Sequence, residues 1–483
     1  MPAETPDMSA DILADPGSFR DPVNCVYEIR AESPGKKRVL RGVNQLALDN
    51  FKKLSQQEFF RKLEKNGSVV ATRILDCEEP DAAAILRMGW SGVLEHDAVQ
   101  VITYPYEWTF SMLKDAALLQ LHILEKSLEN GWILKDASPY NIQFVGSRPI
   151  FIDLPSFEPW IEGEPWVGYR QFCAIFLTPL LLRAHLGIDH LSILRSNLDG
   201  IPATEAIKYF RGLTRLGKGV LSHIVLPARV ENMIASKERD AAPAKKRTAR
   251  KQSFAMIVGL VQSLTRLVLK LRSDIEHTDW SHYDQTHSYV GNEFEAKKAF
   301  VEKYASEKKR NLIWDIGCNT GTFSKICSPH CNFVVSLDGD HDAVEQLYNR
   351  EKANRGSNLT PMVMNLTNIS PGQGWAGTER KALDKRTSPD LVLCLALIHH
   401  IRLTANIPNV LFLKWLRSLD SDVVLEFVTR EDEMVVKLLM NKKEQYEDYD
   451  LPEFIENCDC FFNIEDRVLL KNGKRVIFFL TPK

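Results

Sequence analysis

Two kinds of periodicity alternate along this chain. Across residues 110–128, FSMLKDAALLQLHILEKSL repeats apolar residues every three or four positions, which predicts a helix with a buried face. A second stripe, Phe254, Ile257, Val258, Val261, Leu264, Leu267, Val268 and Leu271, predicts an amphipathic helix packed on one of the flanking domains. Beyond residue 311 the pattern changes. NLIWDIG, NFVVSLDGD, PDLVLCLALIHHI and DVVLEFVTRED are short apolar runs closed by Gly or polar residues, the signature of strands buried on both faces of a parallel sheet. The chain then runs through DRVLLKNGKRVIFFLTP, whose Asn472-Gly473 pair is favoured in the type I′ turn of an antiparallel hairpin.

Composition breaks set the boundaries. Residues 236–252, SKERDAAPAKKRTARKQ, exchange aliphatics for Lys, Arg and Ala and read as a basic linker. Its run Lys245-Lys246-Arg247 with Arg250-Lys251 has two readings, a dock for a phosphate-bearing partner and a solvated linker, of which the solvated linker is the better. The predicted organisation is a disordered tail over 1–22, an α+β domain over 23–235, the linker, a helix over 253–279 and an α/β domain over 280–483. A chain of 483 residues has room for such a division at roughly 100–200 residues per domain. Its 61 basic and 63 acidic residues leave no overall field for nucleic acid or an anionic membrane. The longest apolar stretch, 172–182, is broken by Thr178 and Pro179 and is too short to span a bilayer; the first twenty residues lack an apolar core, so a soluble cytoplasmic protein is expected. Nine scattered cysteines without a CxxC pair predict reduced thiols, and Cys327, His330 and Cys331 lack the second ligand pair of a zinc finger.

The chemistry concentrates at the first strand-to-helix turn of the second half. NLIWDIG ends in an acid and Gly317, CNTGTFSKI enters a helix, and Asp338 closes the next strand. In a parallel α/β sheet this arrangement lets backbone approach a ligand at the carboxyl edge while the second acid takes two ribose hydroxyls. Dinucleotide binding competes for the same turn, but its pattern is DxGxxxG and not GxGxxG. DIGCNTGTFS resembles motif I of class I S-adenosylmethionine-dependent methyltransferases, and the resemblance covers about 280–483. It implies a Rossmann-like, seven-stranded sheet with a terminal antiparallel hairpin. It implies further that Asp315, Gly317, Asn319 and Gly321 form the loop under the methionine part of the cofactor, that Asp338 binds the ribose, and that Asn365 stands where the family often has an Asp contacting adenine. Asn319 replaces a Gly common in that family. His399 and His400 follow the PDLVLCLALI strand, where the transferred methyl lies in such enzymes. Two roles are open to them: proton acceptor from an attacking hydroxyl or amine, or strand-end packing. Trp280, Tyr283 and Tyr289 either lid the cofactor or pack a helix on the sheet.

In the first half, the 110–128 helix leads to Asp136 and Asn141 in a D-x4-N loop, then to two short strands and Asp153. A carboxylate facing an acceptor hydroxyl, with an amide and a second carboxylate on magnesium, is what phosphoryl transfer uses. The order resembles protein-kinase-like folds, which implies a hinge at 104–108, Mg-ATP held by Asn141 and Asp153, and an acceptor-facing Asp136. Leu134-Lys135 stands in place of His-Arg, Asp153 precedes Leu-Pro, and no Gly-rich loop precedes KKRVLRG, leaving Lys37 or Arg41 as the phosphate-pairing cation. The alternative is that Asp136 and Asn141 cap turns and Asp153 ends a strand. Together the halves resemble bacterial nodulation-protein-like methyltransferases, which join KDAS-Y-NIQF, YRQFC (169–173) and DIGCNTG in one chain. The expected activity is methyl transfer to O or N of a small-molecule or saccharide-type acceptor. A phosphotransferase with a regulatory methyltransferase-like half and a binding protein without chemistry are the competing classes.

Overall fold

The structure is a computed structural model that describes residues 12–30, 37–239, 252–273, 293–354, 357–440, 442, 446, 448–470 and 473–483. It forms two compact units, one made of residues 1–144, 149–274 and 373–380, the other of 145–148, 275–372 and 381–483. Among the described residues, no helix is long and apolar enough to cross a membrane.

The first unit is α+β. Its antiparallel sheet has the order β1-β2-β3-β5-β4, with β1 Ile12–Ala14, β2 Asn24–Arg30, β3 Lys37–Val43, β4 Thr72–Ile74 and β5 Gly92–His96. The sheet corrects the expectation of a disordered tail for residues 12–22; residues 1–11 lie outside the described residues. Ile12 pairs with Ile29 and is buried against Tyr27, Ile29 and Leu40, and Asp21 accepts from Lys135 Nζ at 2.9 Å. A three-residue strand is too short to show a period of two; it forms because the edge of β2 offers unpaired backbone groups.

The helix Phe110–Glu129 is opened by Thr109, whose Oγ1 accepts from Met112 N at 3.3 Å, and packs on the strand Trp132–Leu134 and on the later amphipathic helix. The amphipathic helix is Phe254–Lys270, and its Ile257, Val261, Leu264 and Val268 are buried on the 110–129 helix. It is shorter than the predicted 253–279 because Leu271 turns extended (ψ 140°), while Lys114 Nζ donates to the carbonyls of Leu269 and Leu271 at 3.1 and 2.9 Å. At the other boundary the helix Leu226–Arg239 continues into the predicted linker, whose first residues, Ser-Lys-Glu-Arg, include good helix formers. Residues 240–251 lie outside the described residues. Four further strands, β6 Trp132–Leu134, β7 Ile142–Val145, β8 Arg148–Phe151 and β9 Phe157–Pro159, form the pairs β6-β9 and β7-β8 around the D-x4-N loop.

The second unit is a seven-stranded sheet of order β12-β11-β10-β13-β14-β16-β15. Its strands are β10 Arg310–Ile316, β11 Cys331–Asp338, β12 Leu359–Val363, β13 Leu391–Cys394, β14 Asp422–Val428, β15 Phe462–Leu469 and β16 Arg475–Pro482. The first five in that order run parallel, and β16 lies antiparallel between β14 and β15. Every residue of β13 and β14 is buried, which is why their sequences show continuous apolar runs instead of alternation. The terminal hairpin forms as predicted, with Gly473 at φ +70°; Asn472 lies outside the described residues.

If β1 belongs to the folded sheet, Ile12→Ala should lower unfolding free energy by about 2 kcal/mol, near the low end for a buried Ile at a sheet edge. Urea denaturation checks this, and an unchanged midpoint would return residues 12–14 to the tail.

Candidate cofactor site at the β10 turn

After Ile316 the chain must reverse within five residues and leave backbone facing outward. It does so with three residues in the left-handed region: Gly317 at φ +75°, Asn319 at +51° and Gly321 at +81°. Gly321 has a second reason to be glycine, since a Cβ there would stand 2.6 Å from Leu347 Cδ1. Asn319 explains the departure from the family's usual Gly: Asn is the side chain that best tolerates this region, and its Oδ1 accepts from Thr320 N at 2.6 Å. The turn is anchored by Gly317 N and Cys318 N, both donating to Leu337 O on β11 at 2.8 and 3.1 Å.

Asp338 is held by this turn. Its Oδ2 accepts from Asn319 N at 2.7 Å and its Oδ1 from Asp340 N at 2.8 Å, which fixes the carboxylate at the carboxyl edge of the sheet. Burial raises its pKa, and the backbone donors oppose that rise. Asp315 behaves differently from the expected loop-lining acid. It is buried, its Oδ2 accepts from Ser324 Oγ at 2.6 Å, and Ser336 Oγ donates to Ser324 Oγ at 2.8 Å. The carboxylate therefore ties β10 to the helix Thr322–Cys327, and burial pushes its pKa to about 6. Asn365 is exposed beyond β12; its Oδ1 closes its own turn by accepting from Thr367 N and Oγ1 at 2.9 and 2.8 Å.

His399 is buried just past β13, its Nδ1 has no hydrogen-bond partner among the described residues, and its ring lies 4.1 Å from that of His400. Burial holds its pKa well below the usual imidazole value, with His400, Arg475 and Lys297 adding to the effect; burial also lowers that of His400. Sequence reasoning missed the charged residues beside it, Lys297, Glu426, Arg475 and Asp432, all buried. One signal was available: Glu426 interrupts the apolar run of β14. Trp280, Tyr283 and Tyr289 lie outside the described residues.

In the first unit Asn141 Nδ2 lies 3.4 Å from Asp153 Oδ2, and burial followed by the Asp153 charge raises the pKa of Asp136. At the residues expected to hold magnesium, Asp153 has a protein cation beside it. Arg41 Nη1 donates to Asp153 Oδ1 at 2.7 Å and to Asn24 Oδ1 at 3.1 Å, giving the carboxylate the cationic partner expected from the metal. Among the described residues, no group of three or more His, Cys, Asp or Glu could hold a metal ion. The YRQFC segment braces the KDAS loop, since Gln171 Oε1 accepts from Ala137 N at 2.8 Å. The turn at 104–108 is a locked one: Glu107 is buried and accepts from Tyr104 N at 2.9 Å, and Trp108 Nε1 donates to Thr103 Oγ1 at 2.8 Å.

No family model matches the sequence. The chain is 31% identical over 465 residues to nodulation protein NoeA of Rhizobium meliloti (strain 1021), covering 96% of this chain and 94% of that protein. The chain belongs to the NoeA family. Because the alignment runs nearly end to end, both units are part of the NoeA-type chain. The second unit of this NoeA-family protein has the class I methyltransferase sheet, five parallel strands with the reversed strand β16 inserted before β15. Solved structures similar to part of the chain include the N-methyltransferase NodS of Bradyrhizobium japonicum WM9 in complex with S-adenosylhomocysteine. It is 11% identical, with TM-score 0.31, over 42% of this chain and 99% of that one. Magnesium protoporphyrin IX methyltransferase of Synechocystis PCC 6803 is 13% identical, with TM-score 0.31, over 43% and 95%. Scores of this size say nothing about the chemistry of the NoeA family.

The pKa of Asp315 fixes the sign of one pH effect. A carboxyl whose folded pKa is raised to about 6 stabilises the fold fully below its ordinary 3.8 and loses that contribution as pH rises through 6. Asp315→Asn, neutral throughout, should match wild type near pH 4 and exceed its stability above pH 6 by an amount on the order of 1–3 kcal/mol. Thermal melts across that range test it; parallel curves would show that Asp315 is ionised at little cost.

Proposed function

We propose that this chain is an S-adenosylmethionine-dependent methyltransferase acting on O or N of a small-molecule or saccharide-type acceptor. The observation that carries the reading is the left-handed turn locked to Asp338: three residues at positive φ bare the backbone at the carboxyl edge of the sheet, and the acid stands beside it. S-adenosylmethionine fits this cradle, with Gly317, Asn319 and Gly321 under its methionine part, Asp338 on the ribose and Asn365 on the adenine side. When bound it supplies an activated methyl on a sulfonium. The protein's contribution is position and proton handling. His399 has an Nδ1 without a partner among the described residues, in a buried setting that keeps the ring neutral, so it can accept the proton of an attacking hydroxyl or amine. The phosphotransferase reading of the first unit has no supporting observation beside its kinase-like order of elements, and Asp153 is paired with Arg41.

Asp338→Ala should weaken S-adenosylmethionine binding by about 1–3 kcal/mol, the cost of losing hydrogen bonds to a charged group. Calorimetry on the folded variant measures this; unchanged affinity removes Asp338 from the site, and no binding by wild type removes the methyltransferase reading.

His399→Gln should lower turnover by about 10²–10⁴-fold while leaving cofactor affinity intact, read with labelled methyl donor against a panel of saccharide and amine acceptors. Because the folded pKa of His399 lies below 6.5, the wild-type rate should hold as pH falls past 6.5 and decline only further into acid. Parallel losses of affinity and thermal stability in the variant would assign His399 to packing.

A further inference from the structure

A chain of buried charges crosses the second unit at the carboxyl end of its sheet. Lys297, on the helix Glu293–Ser306, places Nζ 2.6 Å from Glu426 Oε2 and 4.7 Å from the centre of the Phe323 ring. Phe323 is the second residue of the helix that leaves the β10 turn. The other oxygen of Glu426 meets Arg475 Nη1 at 3.3 Å, and Arg475 Nε and Nη2 reach Asp432 Oδ2 at 3.0 and 2.9 Å. Asp432 in turn accepts from Met434 N at 2.9 Å and caps the helix Glu433–Leu439. All four side chains are at most 4% exposed.

Stability alone does not explain such an arrangement. Removing two cations and two carboxylates from water costs about as much as their pairing returns, and apolar replacements of similar volume are often no less stable. What ion pairs do supply is a fixed geometry, because a displaced partner leaves a buried charge uncompensated. Here the geometry joins two places with different tasks: the turn that bares its backbone for the cofactor, and the segment after β14, which opens on the side where an acceptor enters a sheet of this order.

We propose that Lys297, Glu426, Arg475 and Asp432 are positioning residues that couple cofactor binding at the β10 turn to the ordering of the segment 429–439 on the acceptor side. The proposal rests on the methyltransferase reading and adds to it a specific order of events: occupancy of the turn stiffens the helix capped by Asp432 before an acceptor arrives. His399 lies between the two ends of the chain in sequence and feels both Arg475 and Lys297, so the same residues hold the proton acceptor in its neutral form.

The test uses the full chain, S-adenosylhomocysteine as probe, and hydrogen exchange read by peptide with calorimetry alongside. In wild type, the probe should slow exchange both at 317–324 and at 432–439. In Lys297→Met/Glu426→Gln, which removes the Lys297–Glu426 and Glu426–Arg475 ion pairs and leaves Arg475 with Asp432, slowing should persist at 317–324 and vanish at 432–439, with affinity reduced about tenfold or less. Lys297→Arg, which keeps the charge, should restore the second response; a merely structural lysine would give no such rescue. If 432–439 ignores the probe in wild type, or responds equally in the double variant, the coupling is overturned. If the double variant does not fold, Lys297→Gln replaces it with the same two outcomes. Failure of the probe to bind wild type is recognised by silence at 317–324 and overturns the methyltransferase reading together with the coupling.

Discussion

The hydrogen bond from Asn319 N to Asp338 fixes the relation between the first two strands of the methyltransferase-type unit at their carboxyl ends. It forms only because the backbone at 319 is left-handed, which turns the amide toward β11; a right-handed residue there would aim it elsewhere. Much of the site follows from that one bond. The turn can stay open to a ligand because its own donors are directed to Leu337 and Asp338, and the helix beyond it starts at Gly321, tight against Leu347. Asp315 and the two serines then secure the underside of the turn, where burial makes the carboxylate costly and its Ser324 bond repays part of the cost.

Charge burial is the second organising feature. Arg310 with Asp422 closes one end of the parallel strands at 2.6 Å, and Lys297, Glu426, Arg475 and Asp432 close the other. The strands between carry almost no polar side chains. Ionic groups are thus confined to the ends, where loops meet and where an apolar core would leave the loop positions free. The neutral state of His399 belongs to the same economy, since an imidazolium beside two cations in a dry site would be strongly disfavoured.

In the first unit the ion pair of Arg41 with Asp153 plays the corresponding part. It connects β3 to the end of the β7-β8 hairpin and leaves the D-x4-N loop held by Gln120, Gln171 and the turn at Pro139–Asn141. The near end-to-end match to NoeA shows that this scaffold and the methyltransferase-type unit belong together in one protein. The residues that looked metal-binding in sequence include two spatial neighbours, Asn141 and Asp153, and Asp153 is paired with Arg41.

The sequence by itself determined whatever depends on local chemistry. Continuous apolar runs announced the buried strands β10, β11, β13 and β14, the DIGCNTG turn announced a tight Gly turn before a helix, and Asp338 was placed by its position at the end of the next strand. Each of these is written within a few residues, because strand burial and turn geometry impose local patterns. Other features had no local pattern to read. Strand β1 is three residues long and exists through pairing with β2; the insertion of β16 between β14 and β15 is a matter of sheet order; and Asp315 looks the same in sequence whether it lines the turn or ties it down. The meeting of Lys297 with Glu426 across 129 positions and of Arg41 with Asp153 across 112 could be decided only by tertiary structure. A charged side chain declares its type in the sequence, but its partner, its burial and therefore its proton affinity depend on which distant strands the fold brings beside it.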